Sequence, residues 1–181
     1  MSWLLQGPYT VFDVETTGMS PVRDRIVEIA ALRIDLDGTQ SRFSSLINPG
    51  RLIPYAASRV HHITDAMVAD APPFEVVGPQ FMAFAAGTIL VAHNARFDLG
   101  FLQESLVRCG MMPWEGKTLD TLRLVRSVYP GLSSCKLQDL RVTLDLECEN
   151  GTAHRAGSDV EWTAVLLRKT LTTLLEKANR G

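Results

Sequence analysis

Two acidic residues near the start of the chain lie where they could do chemistry together. Asp13 and Glu15 are two residues apart in the segment VFDVETTG, among apolar neighbours. In a β-strand this spacing places both side chains on one face, and the following TTG marks the end of the strand. Sites in α/β sheets collect at such strand ends. A strand end that enters solvent would also carry acids, so the spacing alone leaves both interpretations open.

Two further acids and a histidine lie near predicted helix starts. Asp98 occurs in AHNARFDLGFL, and Asp159 occurs in HRAGSDVEW. A helix dipole stabilises a carboxylate in the first turn, which gives each aspartate a structural explanation. His154 lies five residues before Asp159 in a predicted loop. A loop histidine beside an aspartate at a helix start is a candidate general base next to a metal ligand.

Four carboxylates and one histidine suit the hydrolysis of a phosphodiester bond. Carboxylate oxygens are hard ligands, which select Mg²⁺ or Mn²⁺ rather than zinc. Two such ions about 3.5–4 Å apart can hold the attacking and the leaving oxygen of an in-line displacement. The residue types therefore predict a site for two divalent metal ions, in which the histidine removes a proton from the attacking water.

The first half of the chain predicts the strands that would carry the first two acids. Short turn-like connections separate three runs of β-forming residues, which favours an antiparallel meander. These runs are Tyr9 to Thr17, Ile26 to Ile34 and Arg42 to Ile47.

The second half predicts mainly helices. A helix begins at Phe74 after two prolines, and a short buried strand covers Thr88 to Ala92. Further helices are predicted for Phe97 to Cys109, Lys136 to Leu146 and Asp159 to Asn179. The predicted N-caps are Asn94 for the first of these helices and Ser158 for the last. Strands followed by helices and a further strand indicate an α/β sheet that helices cover.

Composition bounds the class of protein. The 181 residues, with 46% hydrophobic and 21% charged, are typical of one soluble globular domain. The net charge of −2 lacks the basic excess of many nucleic-acid-binding proteins, although bound metal would change the local field. Three cysteines without a CxxC motif argue against a disulfide framework and a zinc ribbon. With no signal peptide and no stretch near the ~20 apolar residues of a membrane span, we expect a cytoplasmic protein without a membrane partner.

Three motifs in order, FDVETTG, HNARFD and HRAGSD, closely resemble those of the DEDDh 3′→5′ exonucleases. The stretches between them, among them IVEIAAL, VHHITDAMV and LDTLRLVR, are most similar to those of the epsilon proofreading subunits of bacterial DNA polymerase III. The resemblance runs from about Tyr9 to Leu175. It implies a ribonuclease-H-like fold with a mixed five-stranded sheet and helices on both faces, formed by residues 1–181 as a single exonuclease domain. It also implies release of mononucleotides from the 3′ ends of single-stranded or mispaired DNA, in proofreading or repair.

The resemblance also implies roles for individual residues. Its metal ligands are Asp13, Glu15, Asp98 and Asp159, and its general base is His154. Its substrate-binding residues include Thr16, Thr17 and Gly18, whose backbone lies against the terminal nucleotide. Asn94 and Phe97 line the substrate site. His61 approaches a base near the 3′ end. Acids left to the scaffold or the surface are Asp120, Asp24 and Glu28.

Three positions depart from the family pattern. His62 stands where glycine is usual, and this could alter the nucleotide pocket. Gly157 and Val160 stand where leucine and alanine are common, and they could loosen or shift the loop of His154. None of the departures removes a predicted ligand.

Two alternative functions stay open at this point. An RNA exonuclease of the ribonuclease T or oligoribonuclease type would use the same five residues, although the ETTG motif favours the DNA proofreading branch of the family. An inactive nucleic-acid-binding or polymerase-anchoring module is the other alternative, and retention of all five residues argues against it. Epsilon-like proteins often carry a further C-terminal segment that binds the polymerase, and we expect none in the residues up to Gly181. A DNA polymerase subunit as partner, the oligomeric state and the preferred ion are left undecided.

Overall fold

Strand β1 (Tyr9–Thr16) occupies the middle of a five-stranded sheet in the computed structural model, which describes residues 7–146 and 156–179. β2 (Ile26–Ile34) and β3 (Gln40–Leu46) continue it as an antiparallel meander. On its other side lie β4 (Ile89–Ala92) and β5 (Thr118–Asp120), both parallel to β1. The order β3-β2-β1-β4-β5 confirms the expected mixed sheet with three antiparallel strands.

Helices follow the first three strands. Their bounds are α1 (Tyr55–His61), α2 (Asp65–Val68), α3 (Phe74–Ala85), α4 (Arg96–Arg108), α5 (Thr121–Val128), α6 (Leu137–Thr143) and α7 (Ala156–Ala178). α3 begins directly after Pro73, as the paired prolines predict. The sequence does not predict α1 and α2, since 7 and 4 residues are too few for a helical period to stand out. In the described ranges, every helix is too short or too polar to cross a membrane.

Alternate residues of the sheet enter two separate apolar layers. Phe12 packs with Phe81 and Phe101, which come from α3 and α4. Val11 packs on the opposite side with Val160 of α7 and its neighbours. The expected helices on both faces are therefore confirmed. Because side chains alternate along a strand, Asp13 and Glu15 share the α7 face with Val11.

Two predicted helix caps are wrong. α7 begins at Ala156 rather than Asp159, so Ser158 lies inside its first turn. α4 begins at Arg96, with Ala95 in the capping position, and Asn94 adopts a left-handed backbone with φ of 65°. Short polar side chains favour turns as well as caps, so their pattern alone does not fix the first helical residue.

Candidate active site

Three of the predicted ligands meet where α7 crosses the end of β1. Asp13 and Glu15 lie on the face of the sheet that α7 covers, and Asp159 lies in the first turn of α7. One carboxylate oxygen from each residue lies within 4.8 Å of the other two. Packing of the last helix against the first strand therefore brings the acids of the first and third motifs together.

Asp98 reaches the same part of β1 from α4. It lies in the first turn of that helix and is 3% exposed. Its Oδ1 accepts a hydrogen bond from the backbone N–H of Val14 at 3.1 Å, and Val14 lies between Asp13 and Glu15. Asp98 is not one of the three mutually close carboxylates. Its role as a fourth metal ligand stays a prediction.

Burial and mutual repulsion raise the pKa values of two of these acids. The pKa of Asp13 lies well above its usual value, first because of burial and then because of the surrounding carboxylates, which are Asp98, Glu15, Asp159 and Glu28. Burial raises the pKa of Asp98 to about 7, against the lowering effect of its backbone hydrogen bonds. Anionic oxygens that repel one another are stabilised by a cation between them. This set of oxygen donors therefore fits hard divalent ions such as Mg²⁺ or Mn²⁺.

Glu28, which the sequence pattern places in the scaffold or at the surface, is a fifth carboxylate at the site. It is 4% exposed and stands opposite Glu15 in the pairing of β1 with β2. Its Oε2 accepts a hydrogen bond from the backbone N–H of Ala156 at 3.2 Å. Glu28 thus holds the first residue of α7, three residues before Asp159. The available signal was an acid inside the otherwise apolar strand IVEIAAL.

Gln138 contacts the cluster from α6, a role that no motif in the sequence predicts. Its Nε2 donates a hydrogen bond to Oδ1 of Asp159 at 3.2 Å. Its Oε1 accepts a bond from Nη1 of Arg141 at 2.6 Å, and the Arg141 guanidinium lies 4.0 Å from the centre of the Trp162 ring. The carboxamide of Gln138 is therefore held on both sides, which fixes one oxygen of Asp159.

The TTG segment forms a tight turn immediately after the acidic strand. The hydroxyl of Thr16 donates to the carbonyl of Gly18 at 2.6 Å, and the hydroxyl of Thr17 accepts from the N–H of Arg25 at 3.0 Å. A Cβ at Gly18 would lie 2.5 Å from a carboxylate oxygen of Asp24, so a larger residue here would displace that side chain. Because both threonine hydroxyls are used inside the turn, the backbone is what this segment can offer a nucleotide, as the resemblance implies.

Asn94 and Phe97 lie in the loop and first turn that carry Asp98. Asn94 is exposed, and its backbone N–H donates to Oδ1 of Asp120 at 3.0 Å. Asp120 also caps α5, which agrees with the structural role expected for it. The Phe97 ring is half-buried, with its centre 4.9 Å from that of Phe101. Contact of Asn94 and Phe97 with substrate stays a prediction.

His61 and His62 end α1. His61 is 2% exposed, and its Nδ1 accepts the N–H of Ile63 at 3.0 Å, so it holds the turn that follows the helix. His62 has φ of 61°, the left-handed conformation that glycine adopts without strain at helix ends. This backbone explains why the resembling sequences have glycine there. Contact of His61 with a nucleobase stays a prediction.

His154, the predicted general base, lies outside the described residues. The two nearby departures from the family pattern lie on α7. A Cβ at Gly157 would meet no described atom within 4 Å. Val160 is 2% exposed and packs against the sheet, so it belongs to the core.

Several known proteins are similar to this chain in sequence or in fold. The sequence profile of the exonuclease family matches residues 10–167. The chain is 42% identical over 153 residues to DNA polymerase III subunit epsilon of Treponema pallidum, covering 83% of this chain and 70% of that protein. It is 38% identical over 172 residues to the PolC-type DNA polymerase III of Caldanaerobacter subterraneus subsp. tengcongensis, covering 95% of this chain and 12% of that protein.

A solved structure is similar over nearly the whole chain. The structure of exonuclease X in complex with 5′ overhanging duplex DNA superposes with a TM-score of 0.74 and 33% identity, covering 91% of this chain and 92% of that chain. That protein binds DNA with the fold described above. The chain thus spans most of one relative and about an eighth of the PolC-type polymerase.

Proposed function

Because the chain belongs to the exonuclease family, we propose that it is a metal-dependent 3′→5′ exonuclease acting on DNA. It releases mononucleotides from single-stranded or mispaired 3′ ends, in proofreading or repair. The observation that carries the proposal is the convergence of Asp13, Glu15 and Asp159 on one point at the end of β1. The proposed domain is residues 1–181, and the cysteine pattern supports a cytoplasmic location.

The carboxylates Asp13, Glu15, Asp98 and Asp159 would hold two Mg²⁺ or Mn²⁺ ions. When bound, such ions lower the pKa of water and neutralise charge on the attacking and leaving oxygens. Asp159 is positioned for this role by Gln138, and the start of α7 by Glu28. His154 removes the proton of the attacking water, which requires the neutral imidazole.

The protein residues around the acids position the 3′ end of the DNA strand. The TTG turn presents its backbone to the terminal nucleotide, with Asn94, Phe97 and His61 around it. An unpaired DNA 3′ end is preferred, because a base-paired terminus must first be opened before it can reach the site at the end of β1. Backbone contacts and stacking carry little sequence information, so all four bases should be released.

The similar proteins support DNA as the polymer and a DNA polymerase subunit as partner. One relative is a subunit of DNA polymerase III, another is a PolC-type polymerase, and exonuclease X was solved with DNA. Faster cleavage of RNA than of DNA would instead favour the alternative function, an RNA exonuclease.

The test compares four 3′-labelled substrates of one sequence: single-stranded DNA, mispaired duplex DNA, fully paired duplex DNA and RNA. Each is assayed with Mg²⁺, with Mn²⁺ and with excess EDTA. Asp13→Asn removes one charge of the cluster, and Asp70→Asn is the matched control, because Asp70 is exposed between α2 and α3.

We expect labelled mononucleotides from the single-stranded and mispaired DNA, more slowly from paired DNA, and none in EDTA. Asp13→Asn should lose turnover, and Asp70→Asn should retain it. Robust activity in EDTA would remove the metal from the proposal. A faster reaction on RNA than on DNA would assign the protein to the RNA branch.

A further inference from the structure

A groove with three exposed arginines is lined in part by Asn94, which lies in the loop before Asp98. Its cavity of about 800 Å³ lies between the first turn of α4, strand β5 and helix α5. Arg96, Arg123 and Arg126 line it. In residues 7–146 and 156–179, no ion pair or hydrogen bond engages these three guanidinium groups. They are therefore available to a ligand.

The groove continues into a second cavity. This cavity, of about 550 Å³, shares Asn94, Leu122 and Arg126 with the first and extends to Lys136. Lys136 is exposed at the start of α6. The two adjacent cavities together present four cationic side chains, and we call this pair of cavities the basic groove.

Two segments that line the basic groove continue along the chain into groups of the candidate site. Asn94 lies in the loop that leads to Asp98. At the other end, Lys136 is two residues from Gln138, which donates to Asp159. A nucleic-acid strand bound in the groove would therefore contact two segments that also carry groups of the site.

One acid, Asp120, also lines the groove. Its Oδ1 already accepts the backbone N–H groups of Asn94 and Leu122, at 3.0 and 2.9 Å. These bonds offset part of its charge, so the four cations dominate the local field. The chain as a whole carries a net charge of −2, which makes this concentration of cations a local feature.

We propose that the basic groove binds the phosphodiester backbone of the substrate strand upstream of the nucleotides that enter the active site. This proposal rests on the proposed function and extends it to a second set of residues. Guanidinium groups bind phosphate oxygens with two parallel hydrogen bonds, and such contacts fix the position of the strand without reading its sequence. Leu99 and Leu122 offer apolar surface between the cations for sugars and bases.

The test uses Arg123→Gln, Arg126→Gln and the double variant. Arg168→Gln is the matched control, because Arg168 is exposed on α7 beside a different cavity with Tyr9 and Leu175. Each protein is assayed with a 20-nucleotide single strand and with a dinucleotide. KM and kcat are measured over a series of salt concentrations, and thermal melting checks the fold.

For the 20-nucleotide strand, each groove substitution should raise KM by about 10- to 100-fold, the equivalent of one lost hydrogen bond to a charged group. The slope of log KM against log salt should decrease by about 0.7 per arginine, the value for release of one counterion from a single strand. The loss should be much smaller for the dinucleotide, which is too short to follow the groove. Arg168→Gln should behave as the unmodified protein.

Equal KM and equal salt slopes in all variants on the long strand would overturn the proposal. An equal loss on both substrates would also overturn it, since the arginines would then act through the active site. If the unmodified protein cleaves neither substrate with Mg²⁺ or Mn²⁺, the proposed function itself has failed. The dinucleotide thus separates the two failures.

Discussion

At the scale of single residues, the acids gain their character from where the chain buries them. Asp98 is 3% exposed and still receives a backbone hydrogen bond, yet burial raises its pKa to about 7. Asp13 is half-buried, and burial together with four neighbouring carboxylates raises its pKa. Without a cation the folded protein therefore retains protons that the unfolded chain releases.

These raised pKa values predict a stability that falls with pH in the absence of metal. When the folded state binds more protons than the unfolded chain, the free energy of unfolding decreases as pH rises. For Asp98 the decrease begins near the unfolded pKa of about 3.9 and ends near the folded value of about 7. Each pKa unit corresponds to about 1.4 kcal/mol, so a few kcal/mol are at stake.

Thermal melting in EDTA at pH 5 and pH 8 checks this prediction. The melting temperature should be lower at pH 8 by several degrees, at about 2–4 °C per kcal/mol for a chain of this size. Asp98→Asn keeps the acceptor for the Val14 N–H and should show a smaller difference. A melting temperature that rises from pH 5 to pH 8 would contradict the assignment.

A second prediction at this scale concerns His154 as general base. His154→Ala should retain metal and DNA binding and lose on the order of 10²–10⁴ in turnover, the usual contribution of a positioned base. Activity of the unmodified protein should rise with pH through a histidine-like titration, from an unperturbed pKa of about 6.5. This acidic limb should flatten in the variant.

The measurement is a pair of pH–rate curves at saturating Mn²⁺, with DNA affinity determined for each protein. Near-normal turnover of the variant would refute the role. A loss of DNA binding that explains the whole defect would refute it as well.

At the scale of elements, α7 is held at its first turn by two neighbours. Glu28 of β2 accepts the N–H of Ala156, and Gln138 of α6 donates to Asp159. The packing of α7 on the sheet brings Asp159 near β1, and these two polar contacts set the position of its carboxylate. Groups that hydrogen-bond metal ligands affect metal affinity without touching the metal.

Gln138→Leu should therefore raise the Mn²⁺ concentration for half-maximal activity by about 10- to 100-fold, the usual effect of losing such a group. Gln103→Leu is the matched control, because Gln103 of α4 makes two hydrogen bonds to the backbone of Trp114. The control should lower the melting temperature and leave the Mn²⁺ dependence unchanged. The prediction fails if the Mn²⁺ dependence of the two variants is the same.

At the scale of the whole molecule, the acids belong to three parts of the fold: strand β1, helix α4 and helix α7. A ligand that all of them bind is lost when the protein unfolds, so its binding free energy adds to global stability. At a concentration 100 times its dissociation constant, an ion adds about 2.7 kcal/mol.

Saturating Mn²⁺ should accordingly raise the melting temperature by about 5–10 °C. Asp13→Asn should melt higher than the unmodified protein in EDTA, because repulsion is relieved, and should gain less from Mn²⁺. Scanning calorimetry at several Mn²⁺ concentrations measures both effects. An identical Mn²⁺ shift in the variant would show that the ion binds elsewhere.

The sequence by itself determined the type of fold and the chemistry. The runs of β-forming residues between turn signals predicted β1 to β3, and the paired prolines and apolar spacing predicted α3, because these signals are local in the sequence. The identities of Asp13, Glu15 and Asp159 predicted hard oxygen ligands, since ligand preference belongs to the side chain itself.

Only the tertiary structure decided which groups surround the acids. Glu28 and Gln138 are distant in sequence from the residues that they hold, and no local pattern marks such contacts. The helix starts at Ala156 and Arg96 depend on what packs against the first turns, so short polar residues nearby gave the wrong caps. The basic groove likewise combines arginines from α4 and α5 in one cavity that β5 also lines. The nearly equal numbers of acidic and basic residues in the chain do not indicate it.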